Sequence, residues 1–412
     1  MINEKWYPQI ITDITDLDFY KITMLYVIFK NYSNVRTKWS FYNRGNHKFP
    51  KEFGKELRKQ IDNFSELKFD DEKINHIRKI GKAFDGNPLF DESFYTFLRG
   101  FRYNPNDVEI IQNGKDLDIN VEGLWTHTSF YETQIMATIV ELYNLMRGYE
   151  YEDFDEEYLN DIDRQKFNQM RKLNVKVAEF GMRRRAFKAN QDRIVKLAIN
   201  EYPDVFVGTS NVMLSRKYNC KAIGSKAHEI NMVLATKYGP IQSYEESMKM
   251  WSEAFRGSLG IELPDCYGTK VFLSKFDMYY SKLFDGVRQD SGDPIEFTDW
   301  MIEHYKSKGI DSKSKTIIYS DNINSIEKIK KYSDYRRDEI KKSFGIGTWM
   351  VNNLPNMRPM NIVIKVSEAK FDEFTGWKHC VKIGNDNGKY TYKDEDTLNK
   401  YLKELNERHI NL

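Results

Sequence analysis

Residues 283–308 read LFDGVRQDSGDPIEFTDWMIEHYKSK: a short apolar run at 283–287, a polar exit from Arg288 to Pro294, then apolar residues three and four apart with charged residues between them. That order predicts a strand, a loop and an amphipathic helix, which together make one β-α unit. The unit recurs in both directions along the chain. Short apolar runs at 175–180, 204–207, 220–223, 259–263, 316–319, 342–344 and 361–366 alternate with helical stretches such as 185–202, 244–257 and 325–332. With 283–287 they give eight candidate parallel strands, the number in a closed TIM-like α/β barrel. An open, doubly wound α/β sheet is the alternative, because alternation alone does not tell the two apart.

Outside this block the pattern changes. Residues 1–120 hold aromatic-rich segments such as KWSFYNRG (38–45) and a charged helical stretch from 51 to 82, with no β-α alternation. This predicts a separate α+β domain, on which the tail 369–412, with a final helix near 394–407, is expected to fold back. The irregular barrel is then assigned to 121–368.

Composition narrows the function classes. The 412 residues include 26 Tyr and 26 Phe and are 40% apolar, enough for a large core. The 63 basic and 61 acidic side chains nearly cancel, so no global field favours nucleic acid or an anionic membrane, and an anion site has to be built locally. Cys220, Cys266 and Cys380 lack zinc or disulfide spacing, which predicts a reducing cytoplasm and no resident metal ligand set. The opening segment has no signal-peptide pattern, and no later run is long enough to span a bilayer.

The chemistry concentrates where strands end. GMRRR, GTSN, GSKAHE, PDC, RQDSGD, SDN and GIGT each follow an apolar run, and a parallel barrel gathers such exits at one rim. In Arg288-Gln289-Asp290-Ser291-Gly292-Asp293-Pro294 the carboxylates suit ribose hydroxyls or water-held Mg²⁺ and the guanidinium suits a phosphate or carboxylate, yet Asp-Ser-Gly-Asp-Pro is equally good turn chemistry; both readings stand. Ser320-Asp321-Asn322 and Gly345-Ile346-Gly347-Thr348 are small polar exits able to turn backbone N–H groups toward one phosphate, or to cap helices. His228, in GSKAHE with Ser225 as N-cap, is expected in the first turn of a helix, where the positive helix end favours neutral imidazole; His47, His127 and His379 read as ordinary surface histidines. Phe180 with Arg183, Arg184 and Arg185 suits a planar ring carrying an acid group, although Arg184 or Arg185 is expected to be merely solvated.

In order, EFGMRRR, VGTSN, GSKAHE, GVRQDSGDP, YSDN and SFGIGT, with the earlier Asp18-Phe19-Tyr20-Lys21 and Phe41-Tyr42-Asn43-Arg44-Gly45 and the later Asn361-Ile362-Val363-Ile364-Lys365, resemble the nicotinate phosphoribosyltransferase family over almost the whole chain. The resemblance implies formation of nicotinate mononucleotide and pyrophosphate from nicotinate and phosphoribosyl pyrophosphate, with Mg²⁺, and with ATP hydrolysis coupled through a phosphohistidine at His228. It implies a homodimer in which Tyr20 of one subunit and Phe180 of the other sandwich the ring. Arg183, Arg288 and Asp290 would surround the ring acid and ribose, Asp265 would stand near the substrates, and Ser320, Asp321, Gly345 and Gly347 would cradle the 5′-phosphate. Lys21, Arg44 and Lys382 would meet the pyrophosphate.

The relative that uses nicotinamide carries an acidic residue where this chain has Ser210, and a serine does not repel a carboxylate, so Ser210 favours the acid. Trp349 stands where the family often has arginine, and Trp125-Thr126-His127-Thr128 replaces a segment that commonly carries Glu. A phosphoribosyltransferase for nicotinamide or another pyridine acid, and a non-catalytic nucleotide sensor, are the competing functions.

Overall fold

The structure is a computed structural model that describes residues 6–224, 226–386 and 390–407. Its strands run in the order β1 (Arg36–Asn43), β2 (Val108–Asn113), β3 (Asp116–Leu124), β4 (Val177–Glu179), β5 (Phe206–Thr209), β6 (Ile261–Glu262), β7 (Gly286–Gln289), β8 (Thr316–Tyr319), β9 (Lys341–Ile346), β10 (Ile362–Lys370) and β11 (Lys378–His379).

One sheet is antiparallel, ordered β11-β10-β1-β3-β2, and joins segments from both ends of the chain. Alternation of buried and exposed residues along β3 marks it as covered on one face. The chain then enters the helix Trp125–Met146, which is buried on almost every side, polar residues such as Ser129, Glu132 and Gln134 included. It packs against the helix Phe19–Asn31, β1 and β10.

The second sheet is parallel, ordered β5-β4-β9-β8-β7-β6, with helices such as Lys188–Glu201, Gln242–Phe255 and Pro294–Ser307 between its strands. The first and last strands, β4 and β9, are paired; β4 to β5 and β6 through β9 each step one place in the same direction, and β5 and β6 form the two edges. Gly286 permits the β7–β8 approach, since a Cβ there would meet the backbone of Thr316.

Two of the eight expected strands are corrected. Segment 220–223 contributes only the single parallel bridge Thr209↔Ala222. Segment 361–366 lies in β10 and pairs antiparallel with β1, Phe41 opposite Ile364. Its apolar run, IVI, fits a buried strand of either sheet, and only the partner decides which. The parallel ladder thus has six strands among the described residues.

A buried ion pair ties the amino-terminal segment to the β4 and β5 exits. Arg185 donates from both terminal nitrogens to Asp16, at 2.6 and 2.8 Å, and Asn211 Nδ2 donates to Asp16 at 2.8 Å. Both charged side chains are fully buried, so of Arg184 and Arg185, one of which was expected in solvent, it is not Arg185. Arg185→Met strands a buried carboxylate and is expected to cost about 3–5 kcal/mol, read as a lowered urea midpoint. Burial alone would raise the Asp16 carboxyl, but Arg185, Lys188 and Asn211 hold it at about 2, below its ordinary 3.8. Its contribution to stability is therefore present above pH 3.8 and lost as pH falls through about 2.

Candidate functional site

The exit of β7 divides between turn and site. Asp293 caps the helix Pro294–Ser307 by accepting from Ile295 and Glu296, with Pro294 in the first turn. Gly292 has φ +78°, and a Cβ there would press on Asn385. Gln289 Nε2 donates to the carbonyls of Ser291 and Gly292 and folds the loop back. This leaves Arg288, Asp290 and Ser291 for the site.

His228 forms its centre. It is buried, its Nε2 lies 2.9 Å from Asp265 Oδ1, and its Nδ1 lies 3.9 Å from Asp290 Oδ2. A carboxylate only accepts, so Nε2 carries the proton and Nδ1 the lone pair. Burial first, then Lys382, depress the imidazole to about 4 although Asp265 and Asp290 oppose them. Neutral His228 was expected; its position was not. His228 itself is the N-cap residue of the helix Glu229–Tyr238, and Ser225, the expected cap, lies outside the described residues. Ser291 Oγ donates to Asp265 Oδ2 at 2.6 Å, and Lys382 Nζ approaches the same oxygen at 3.5 Å. Asn385 locks this arrangement, its backbone N–H donating to Ser291 Oγ and its amide to Ser291 O and Thr269. Against burial, His228, Lys382 and Ser291 hold Asp265 well below the usual carboxylate range.

Beside it lie the residues expected to hold the ring. The Arg183 guanidinium stands 5.9 Å from the Tyr20 ring, and the buried Tyr20 hydroxyl has no hydrogen-bond partner. Phe180 occupies space that Gly345 leaves open, because a Cβ on Gly345 would collide with its ring. Glu179 accepts from Gly181 N–H, Thr209 and Gln191 and so joins the Phe180 and Ser210 loops; burial pushes its carboxyl up to about 7 against those bonds. Arg183 pairs with Glu132 at 3.0 Å and lies 3.9 Å from Asp18. Tyr20 and Arg183 meet within one chain, so bringing these two groups together needs no second subunit.

The Ser210 hydroxyl donates to Asp18 at 2.5 Å. One assignment changes here. Lys21 does not face a substrate, being wholly buried with its ammonium 2.6 Å from both Glu132 and Glu229.

The remaining residues form a rim of both signs. Ser320 Oγ donates to Asp290 at 2.8 Å, and the Arg288 Nε is buried 3.9 Å from Asp290 without a hydrogen-bond partner. Burial, then Asp290, Asp386 and Asp265, push Asp321 up to about 6. Gly347 follows β9 and packs its Cα side against the Phe180 carbonyl. Arg44 donates to Thr391, which is bonded in both directions to the Lys382 backbone. Arg184 is half-buried and lowered to about 10 by burial and its neighbours Arg183 and Arg44; burial likewise lowers Lys365 to about 8. The nitrogen and carboxylate oxygens of His228, Asp265 and Asp290 lie within 4.8 Å of one another, a grouping compatible with a cation.

Sequence reasoning gave no role to Asp18, Glu132, Glu229, Asn385 and Lys365, and none of their own to Ser291 and Arg184 within the strand-exit motifs. Glu132 had a signal: a carboxylate inside the apolar helix Trp125–Met146 must have a buried cation nearby. Asn385 had none, since its link to Ser291 crosses 94 residues.

Comparison with known proteins agrees with this fold. Residues 15–140 match the nicotinate phosphoribosyltransferase N-terminal domain model, and residues 175–409 match the nicotinate phosphoribosyltransferase family model. The chain is 37% identical to a Chromohalobacter salexigens protein named nicotinate phosphoribosyltransferase, covering 90% of this chain and 93% of that one. A Desulforapulum autotrophicum protein of the same name is 33% identical, covering 94% and 97%. Among solved structures, nicotinate phosphoribosyltransferase from Porphyromonas gingivalis superposes with TM-score 0.91 at 30% identity, over 96% of this chain and all of that one. A putative nicotinate phosphoribosyltransferase from Saccharomyces cerevisiae gives TM-score 0.88 at 29% identity, over 98% of this chain and 100% of that one. By both halves of its sequence and by its fold, this chain belongs to the nicotinate phosphoribosyltransferase family.

Proposed function

We propose that the chain transfers the phosphoribosyl group of phosphoribosyl pyrophosphate to the ring nitrogen of nicotinate, in NAD salvage, and that ATP hydrolysis drives the transfer through a phosphohistidine on His228. The observation that carries this reading is the meeting in one chain of an arginine-flanked aromatic subsite, Tyr20 and Arg183, with a neutral histidine between two carboxylates. In the transfer the ring nitrogen bonds to C1′ while the C1′–O bond breaks and its electron pair leaves with pyrophosphate. No proton moves. Asp290 offers negative charge to the oxocarbenium-like sugar, so positioning and electrostatics do the work. Arg183 offers its free edge to the ring acid, while the Ser210 hydroxyl occupies the Asp18 oxygen that would otherwise repel it.

Asp265 and Asp290, which lie with His228 in one close group, are the residues that would hold Mg²⁺, through water. Bound there, the ion would neutralise pyrophosphate charge. Lys382, Arg44 and Arg184 supply the cationic rim for the same anion.

For ATP coupling, Nδ1 of His228 is the free nucleophile. Its bond to the γ-phosphorus forms as the bond to the departing ADP oxygen breaks, and water later removes the phosphoryl group as phosphate. Because the imidazole titrates at about 4, phosphohistidine formation is expected to be flat from neutrality to about pH 5 and to fall as pH approaches 4. Quenched-flow labelling with γ-labelled ATP across this range checks it; a decline centred near 6.5 would contradict the buried, neutral state.

We further read the parallel ladder as an irregular barrel, with Ala222 extending it beyond β5 toward β6, and the two chain ends as one α+β domain whose carboxyl-terminal part begins near residue 361, with β10. The central phosphoribosyltransferase domain then begins near 121. Two such chains would pair in the cytoplasm as a homodimer with shared sites, Tyr20 of one subunit facing Phe180 of the other. Among the described residues no helix is long and apolar enough to cross a membrane.

The test is pyrophosphate release by purified protein with Mg²⁺ and phosphoribosyl pyrophosphate, comparing nicotinate, nicotinamide and quinolinate with and without ATP. Nicotinate-dependent, ATP-stimulated release is expected. Release with nicotinamide alone would reverse the choice of ring, and release with none would favour a sensor.

A further inference from the structure

The ring subsite and His228 are connected by a buried chain of alternating charge. Arg183 pairs with Glu132 at 3.0 Å; the other Glu132 oxygen lies 2.6 Å from Lys21 Nζ; and Lys21 lies 2.6 Å from Glu229 Oε2. The second Glu229 oxygen accepts from Trp125 Nε1 at 2.7 Å. Glu229 is the residue next to His228 and begins its helix. Lys21 has zero exposure, and its third proton reaches Ser129 at 3.4 Å, so every donor of the ammonium has a partner. The chain has one exposed end, the Arg183 side chain at 35%.

Stability gives little reason for such a chain, because buried ion networks are often replaceable by apolar side chains at no loss. Position gives a reason. In a low-dielectric interior each charge responds strongly to its neighbour, and the chain runs from the group that meets the ring acid to the start of the helix that carries the histidine. Resting on the reaction proposed above, we propose that Lys21 is a positioning residue that couples occupancy at Arg183 to phosphorylation of His228, through Glu132 and Glu229. A ring carboxylate draws Arg183 away from Glu132, Glu132 then bears harder on Lys21, and Lys21 loosens Glu229 and the helix start beside His228. Linkage makes the effect reciprocal, so phosphorylation also changes nicotinate affinity.

The test compares wild type, Lys21→Met, Lys21→Arg and Glu229→Gln. Two quantities are read: the factor by which saturating nicotinate changes steady-state ATP hydrolysis, and the nicotinate KM with and without ATP. In Lys21→Met and in Glu229→Gln the nicotinate effect on ATP hydrolysis is expected to shrink by about tenfold and the two KM values to converge, while Lys21→Arg restores both. Should Lys21→Met fail to fold, Glu229→Gln, which keeps shape and removes one charge, decides alone. Intact coupling in folded Glu229→Gln, whatever its overall rate, overturns the relay. A wild-type protein that releases no pyrophosphate with nicotinate overturns instead the reaction on which the relay rests.

Discussion

His228→Ala is expected to leave a slow transferase that ATP no longer accelerates. Every group assigned to the ring, the sugar and the pyrophosphate survives the change, so nicotinate-dependent pyrophosphate release continues. What disappears is the only imidazole set between Asp265 and Asp290 among the described residues, and with it the whole of ATP stimulation. The measurement is pyrophosphate release with and without ATP, together with phosphohistidine detection under alkaline quench. His228→Asn separates chemistry from packing, since it fills part of the cavity and donates to Asp265 without offering a nucleophile. Persistent ATP stimulation in both variants would remove His228 from the coupling step.

Arg183→Met is expected to lower kcat/KM for nicotinate by roughly 10²–10³, about 3–4 kcal/mol. One part of that loss is the charge-assisted pair with the ring acid. The other is Glu132: deprived of its arginine at 3.0 Å, it presents an uncompensated carboxylate to a like-charged substrate. The double variant Arg183→Met with Glu132→Gln therefore recovers part of the loss, and the recovered fraction measures the repulsion. Nicotinamide, lacking the charge, should suffer much less in Arg183→Met. Equal losses for both rings would place the acid elsewhere.

The legible part of the site consists of residues whose chemistry follows directly on a strand. Arg288 and Asp290 stand out because one guanidinium and two carboxylates leave β7 within six residues, and the fold uses Asp290 in the site and Asp293 in the helix cap. The turn-forming reading holds for Asp293, and Asp290 is left beside His228 for the other. Lys21 shows the opposite case. Its motif identifies it as part of the ring segment, yet whether a lysine points outward to pyrophosphate or inward between Glu132 and Glu229 depends on residues 111 and 208 positions away. The Ser210–Asp18 hydrogen bond was hidden for the same reason, since the two residues lie 192 apart in the chain.

By itself the sequence determined the β-α alternation, the helices between the strands, the polar exits and the family they belong to, because hydrophobic period and loop chemistry are properties of adjacent residues. The tertiary structure alone decided that 361–366 joins β1 instead of the parallel ladder, that 220–223 makes one bridge, and that Lys21 and Arg185 are buried counter-ions. An apolar run carries the same local signal in either sheet, and a charged side chain the same signal in water or in the core. Which one holds is set by the strand or counter-charge that chain closure brings beside it.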